Sequence, residues 1–188
     1  MPDFQEVRRE ISEILKKSPI DFDPQHSELV LKWVLQLKPD ADEALQIAAL
    51  AHDIDRGVTG IIERDLKDYS KIAEFKKAHA MRSAKFTSEI LARHGYREEV
   101  ISKVNTLVKK HEEGGDYESD VLKDADSLAF FEYNIPGYIK YCGEERAKGK
   151  IQFMYVRMSP NARSIVGAMV HEDKKIGDLV KNAISELG

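Results

Sequence analysis

Ala48-Ala49-Leu50-Ala51-His52-Asp53-Ile54-Asp55-Arg56-Gly57 opens as a small-residue apolar helix and ends in an adjacent His-Asp pair before a glycine-rich turn. Ala44, Leu45 and Ile47 extend the run upstream, with Asp40 or Asp42 placed to cap it. A helix that is apolar almost all round belongs in the middle of a bundle. Its alanines let neighbouring helices approach closely. The polar pair at its end is then the anomaly, because a charged side chain in a core is costly unless it is paired.

Working outward, Val7, Ile11, Ile14 and Leu15 recur at helical spacing over about 4–17, until Ser18-Pro19 ends the segment. Asp23-Pro24 then reads as an N-cap and first helical position, opening a helix with His26 near its start and Leu29, Val30, Trp33, Val34 and Leu37 behind it. Beyond the His-Asp pair, 57–60 reads as a loop and 61–67 as a short helix. A long helix over about 71–93 carries Ile72, Phe75, His79, Ser83, Phe86, Ile90 and Leu91 along one side and closes on His94-Gly95. The helix over 97–110 ends at His111. After Gly114-Gly115, Ser119 or Asp120 caps a helix containing Asp124 and Asp126. Pro136-Gly137 precedes a tyrosine-rich helix and the basic segment Arg146 to Lys150, and Ser159-Pro160 starts a helical stretch reaching Leu187. No period-2 pattern is convincing. The expected fold is all-α, a single bundle of roughly eight to ten helices over 1–188, with a motif-bearing core at about 20–132 and a C-terminal helical extension at about 137–188.

A formal net charge of −4 argues against general nucleic-acid binding, which needs a basic face, yet leaves room for a local cationic pocket. Cys142 is the sole cysteine, so neither a disulfide framework nor a cysteine-built zinc site can form within one chain. The N-terminus lacks a signal-peptide pattern, and no stretch approaches the roughly 20 apolar residues of a membrane span. The expected location is the cytoplasm, with no membrane partner.

His26, His52, Asp53, His79, His111 and Asp126 all sit on or at the ends of apolar helices, five helices in all. A shared divalent metal would partner both buried carboxylates, and imidazole with carboxylate is a common ligand mix. The plainer reading of any one of these histidines is a cap or a hydrogen-bonded core residue. Adjacent helical residues diverge, so His52 and Asp53 share an ion only if it lies at the helix end. His94 is better explained as a helix-dipole partner, and His171 as solvated.

The order of these residues resembles the HD-domain superfamily of metal-dependent phosphohydrolases over roughly Pro24 to Leu128. Asp23-Pro24-Gln25-His26-Ser27-Glu28-Leu29-Val30 looks like its first motif, Ala51-His52-Asp53-Ile54-Asp55-Arg56 like the second, and Leu122-Lys123-Asp124-Ala125-Asp126-Ser127-Leu128 like the last. His79-Ala80-Met81-Arg82 and His111-Glu112-Glu113-Gly114 are similar to the two extra histidines of the binuclear branch. The resemblance implies an HD-domain-like bundle in which His26, His52, Asp53 and Asp126 hold one ion, and Asp53 bridges to a second held by His79 and His111. In a mononuclear alternative, His79 and His111 contact substrate phosphate instead. The ions would be one or two divalent transition metals (Mn, Fe, Co, Ni or Zn), with Mg also possible. Asp124 is the alternative to Asp126 as ligand, and Asp55 reads as a supporting or loop carboxylate.

Arg56 takes the place where binuclear relatives often carry a cation and the mononuclear nucleotidases a Glu. Asp53 and Arg56 are the expected catalytic residues. Arg56, Lys150 and Arg157 are the expected substrate contacts, the last two read equally well as helix-surface charges. Tyr133, Tyr138 and Tyr141 can stack on a base, though packing explains them more simply. The resemblance implies a hydrolase acting on a small phosphomonoester or phosphodiester, a nucleotide being the expected kind. Two alternatives stay open: an HD-type di-iron oxygenase with the same ligand set, and a non-catalytic, metal-stabilised domain binding a nucleotide or a protein partner.

Overall fold

A computed structural model describes residues 2–188, and among these no strand occurs. The helices are α1 (Phe4–Leu15), α2 (Asp23–Leu37), α3 (Glu43–Ala51), α4 (Ile54–Thr59), α5 (Ile72–Arg93), α6 (Glu98–Lys110), α7 (Tyr117–Ala129), α8 (Ile135–Cys142), α9 (Glu144–Val156), α10 (Pro160–Ala168) and α11 (Lys174–Ser185). The all-α fold expected from periodicity is the fold observed. No described helix is long and apolar enough to cross a membrane.

Helix α3 is the hub. Leu45, Ile47, Ala48, Ala49 and Ala51 are sealed from solvent, and α3 packs against α1, α2, α5, α6 and α7. Asp42 caps it, its carboxylate accepting from the Leu45 amide. A second apolar cluster gathers Leu128, Phe131, Ile135, Ile151, Met154, Ala162 and Val180 from the C-terminal helices. Trp33 and Leu37 of α2 pack against both clusters and so join them. Ser159 caps α10 as its Ser-Pro pattern predicts. Buried Asp124 accepts from the Ser159 backbone amide at 2.9 Å, which ties α10 to α7.

Several local readings change. Asp23 is the first residue of α2 rather than its cap, and its buried carboxylate accepts from Ser18 Oγ and Arg56. Gly57 belongs to α4 rather than to a loop. It is required there because a Cβ would lie 2.3 Å from the Ile14 carbonyl oxygen of α1, while Gly60 takes the left-handed turn with φ +70°. Asp116, not Ser119 or Asp120, caps α7. The terminal stretch breaks at 169–173, where Asp173 caps α11. The segment 61–67 supplies only a 3₁₀ turn at Glu63–Asp65. His94 reaches Glu10 at 2.7 Å, and His171 is half-buried rather than solvated.

Candidate metal centre

The six sequence-predicted ligand residues meet at one end of α3. The α-helix stops at Ala51, His52 is its C-cap, and Asp53 leaves helical geometry with φ −105° and ψ 11° before α4 begins. That break lets two adjacent side chains face the same point. His26 arrives on the first turn of α2, His79 from the middle of α5, His111 as the C-cap of α6, and Asp126 near the end of α7. All six are buried.

Two overlapping triads have ligand atoms mutually within 4.8 Å: His26, His52 and Asp53, and Asp53, His79 and His111. Asp53 belongs to both. Its Oδ1 lies 2.9 Å from His79 Nε2, and its Oδ2 lies 3.4 Å from His52 Nε2 and 4.0 Å from His26 Nε2. Asp126 Oδ1 joins the first triad, 3.1 Å from His26 Nε2 and 3.8 Å from His52 Nε2.

The imidazoles are held from behind. His52 Nδ1 donates to the Ala49 carbonyl at 2.9 Å, and His111 Nδ1 to the Val108 carbonyl at 2.7 Å. A carbonyl only accepts, so both rings carry their proton on Nδ1 and turn Nε2 inward. His79 Nδ1 donates to Asp55 at 3.1 Å. Asp55 is sealed from solvent and gripped by Arg82 through two nitrogens at 2.8 and 2.7 Å. The Asn134 amide lies 3.0 Å from His26 Nδ1, and Asn134 Oδ1 is buried without a partner. A half-turn of that amide makes Oδ1 the acceptor of the His26 Nδ1 proton and relieves the orphan. Asn134 reaches this position through a π-helical turn at Phe130–Asn134, a distortion frequent at functional sites. All four Nε2 atoms thus face one point, and buried His52 Nε2 has no hydrogen-bond partner there. Four imidazole nitrogens and two carboxylates form a donor set that fits one or two divalent transition metals.

Two arginines balance the carboxylates. Arg56 Nη1 donates to Asp53 Oδ2 at 2.5 Å and to Asp23 Oδ1 at 3.1 Å. Arg157 donates from Nη2 to Asp126, from Nη1 to Glu112 at 2.8 Å, and from Nε to Ser127 at 2.9 Å. Burial alone would raise the carboxylate pKa values, but Arg56 holds Asp53, and Arg157 holds Asp126, well below the usual range. Burial opposes charge on His52, yet Asp53 and Asp126 outweigh it and lift the imidazole to about 9. His111 goes the other way: burial pushes it down to about 4 despite Glu112. Burial likewise opposes charge on Glu112, which Arg157 holds down at about 2.

A cavity of about 90 Å³ opens on this cluster, lined by His26, Asp53, Arg56, His111, Asp126 and Arg157. Lys150, Tyr138 and Tyr141 stand on its wall, so Lys150 faces the cavity and not open solvent, whereas Tyr133 is exposed elsewhere. Arg157 also lies at the wall, but all three of its nitrogens are engaged with protein groups. Asp23, Asn134, Glu112 and Arg82 complete the arrangement and were not singled out by sequence. Asp23 was legible only as a cap, and the others show their roles only across helices.

The chain matches the model of the Domain of unknown function (DUF4202) over residues 8–180. It belongs to that family. No curated protein and no solved structure matches it.

Proposed function

We propose that the chain is a metal-dependent phosphohydrolase acting on a small phosphomonoester or phosphodiester, as its resemblance to the binuclear HD-domain branch implies. The observation that carries this reading is Asp53, shared by two triads whose imidazoles all turn Nε2 inward. In this reading His26, His52, Asp53 and Asp126 hold one ion, and Asp53, His79 and His111 a second. A divalent transition metal bound there supplies Lewis acidity toward phosphoryl oxygens and acidifies water.

The chain's own groups do the rest. Arg56 engages carboxylates only through Nη1, so its remaining N–H edge is available to a phosphoryl oxygen at the cavity wall. Arg157 fixes Asp126 and brings positive charge to the same wall. Asp55 and Asn134 hold the His79 and His26 rings in the tautomer that leaves Nε2 free to coordinate. The enclosed position of the cluster excludes bulk water, which strengthens each of these interactions.

The test is to load metal-free protein with Mn, Co, Ni or Mg and assay phosphate release from a panel of phosphomonoesters and phosphodiesters, nucleotides included. Metal-dependent release that His52→Ala abolishes is the expected result. Stoichiometric metal without turnover of any phosphoester would overturn the reading, and oxygen consumption by the iron-loaded protein would replace it with the di-iron oxygenase.

A further inference from the structure

A second cavity adjoins the first. It holds about 430 Å³ and shares Glu63, Tyr138, Arg146 and Lys150 with the cavity over the cluster. Pockets that enclose a drug-sized ligand run from about 300 to 1,000 Å³. The inner cavity, at about 90 Å³, is too small for the organic part of a substrate, and the outer one is large enough.

The surface of the outer cavity is mostly apolar, with three cations among the residues around it. Lys76, Arg146 and Lys150 line it against a single carboxylate, Glu63. Glu63 already accepts from Tyr69 Oη. The Lys150 ammonium, with its side chain 18% exposed, lies 3.7 Å from Glu63 and makes no hydrogen bond among the described residues. Lys76, 16% exposed, donates to Glu112 at 3.1 Å and stands 3.8 Å over the Phe153 ring, and Lys150 stands 5.5 Å from the same ring. Arg146 stacks 4.9 Å over Tyr69. Burial, then Lys150 and Arg157, push the Lys76 ammonium down to about 8 although Glu112 opposes them. Half-buried Lys150, with Lys76 and exposed Arg146 nearby, leaves positive charge beside an aromatic floor that an anion would stabilise.

We propose that this outer cavity is a second anion site, in which Lys150 and Arg146, with Lys76 beside them, hold a second phosphoryl group of the substrate. The first phosphoryl group lies at the His/Asp cluster, and Tyr69, Tyr138 and Phe153 flank the organic part between them. The substrate class is therefore a small molecule with two phosphoryl groups rather than a simple monophosphate. The assignment of the first group rests on the phosphohydrolase reading, whereas the second site stands on the cations alone.

The experiment compares the affinity of the full chain for inorganic phosphate, tripolyphosphate, fructose 6-phosphate and fructose 1,6-bisphosphate, in metal-loaded and in chelator-treated protein. At least one doubly phosphorylated or polyphosphate probe is expected to bind tenfold or more tighter than its monophosphate counterpart. The Lys150→Met/Arg146→Met double variant loses that gain while metal content persists. The charge-preserving Lys150→Arg/Arg146→Lys variant retains it, which separates lost charge from a damaged fold. A gain that survives in the double methionine variant, or no gain for any probe in the unaltered protein, would overturn the site. A protein that takes up no metal but shows the Lys150- and Arg146-dependent gain would sink the metal reading and support the second site.

Discussion

The two halves of the His/Asp cluster are built from the same chemistry, yet one imidazole in each, His52 and His111, is tuned in the opposite direction. The half formed by His26, His52, Asp53 and Asp126 is rich in charge: both carboxylates are held ionised by arginines, and His52 is raised to about 9. The half formed by His79 and His111 around the shared Asp53 is mixed: burial opposes charge on His79 but Asp53 and Asp55 outweigh it and raise it, whereas His111 is lowered to about 4. The same residue type, equally buried, carries a proton near one pair of carboxylates and none a few ångströms away. Position relative to Asp53 and Asp126, not burial, decides the difference. A cation entering the first half competes with a proton, while at His111 it meets a free lone pair.

Removing the shared residue should have the largest effect. Asp53→Ala is expected to strip metal from both halves and lower turnover by on the order of 10³-fold or more, read by elemental analysis and phosphate release. One full equivalent of tightly held metal in that variant would break the idea that Asp53 serves both halves. His111→Ala should be selective, removing about one ion per chain and leaving the His26-bearing half loaded. Losing both ions together would show the halves to be one inseparable site.

Asp55→Asn probes the support behind a ligand. With the His79 Nδ1 acceptor weakened, metal affinity of the second half should fall about 10–100-fold with the first half unaffected. Equal weakening of both halves in competition titrations would mean that Asp55 and Arg82 act on the fold instead.

A pH dependence follows from the proton on His52. A metal needs neutral His52, which is protonated below about 9, so affinity of the first half should decline as pH falls from 9 to 6. The decline is about tenfold per pH unit for one displaced proton. His111, already neutral above about 4, adds nothing to this slope. Zinc titration of His111→Ala across that range measures it, and a flat profile would contradict the role of His52.

Much of the fold is legible in the sequence. The Ser159 cap, an α3 cap at Asp40 or Asp42, the buried α3 and the placement of six candidate ligand residues on five helices follow from local spacing and helix-end chemistry. What the sequence hid is what depends on a partner from another helix. Asp23 has every mark of an N-cap, yet its carboxylate turns inward because Arg56 and Ser18 await it there. Gly57 reads as part of a turn, yet it sits within α4 where the Ile14 carbonyl leaves no room for a Cβ. Asn134 sits on His26 only because a π-helical turn shifts the register, and no periodicity announces that. Lys76 lies on the long helix like any surface lysine, and only Phe153 of α9 and Glu112 beside it make it a half-buried cation.

The most direct measurement is the metal content of the full chain purified without chelator and then titrated with Mn, Fe, Co, Ni and Zn. About two ions per chain, falling to about one in His111→Ala and to none in Asp53→Ala, is the predicted result. A folded protein that holds no stoichiometric ion of any of these metals would contradict the account.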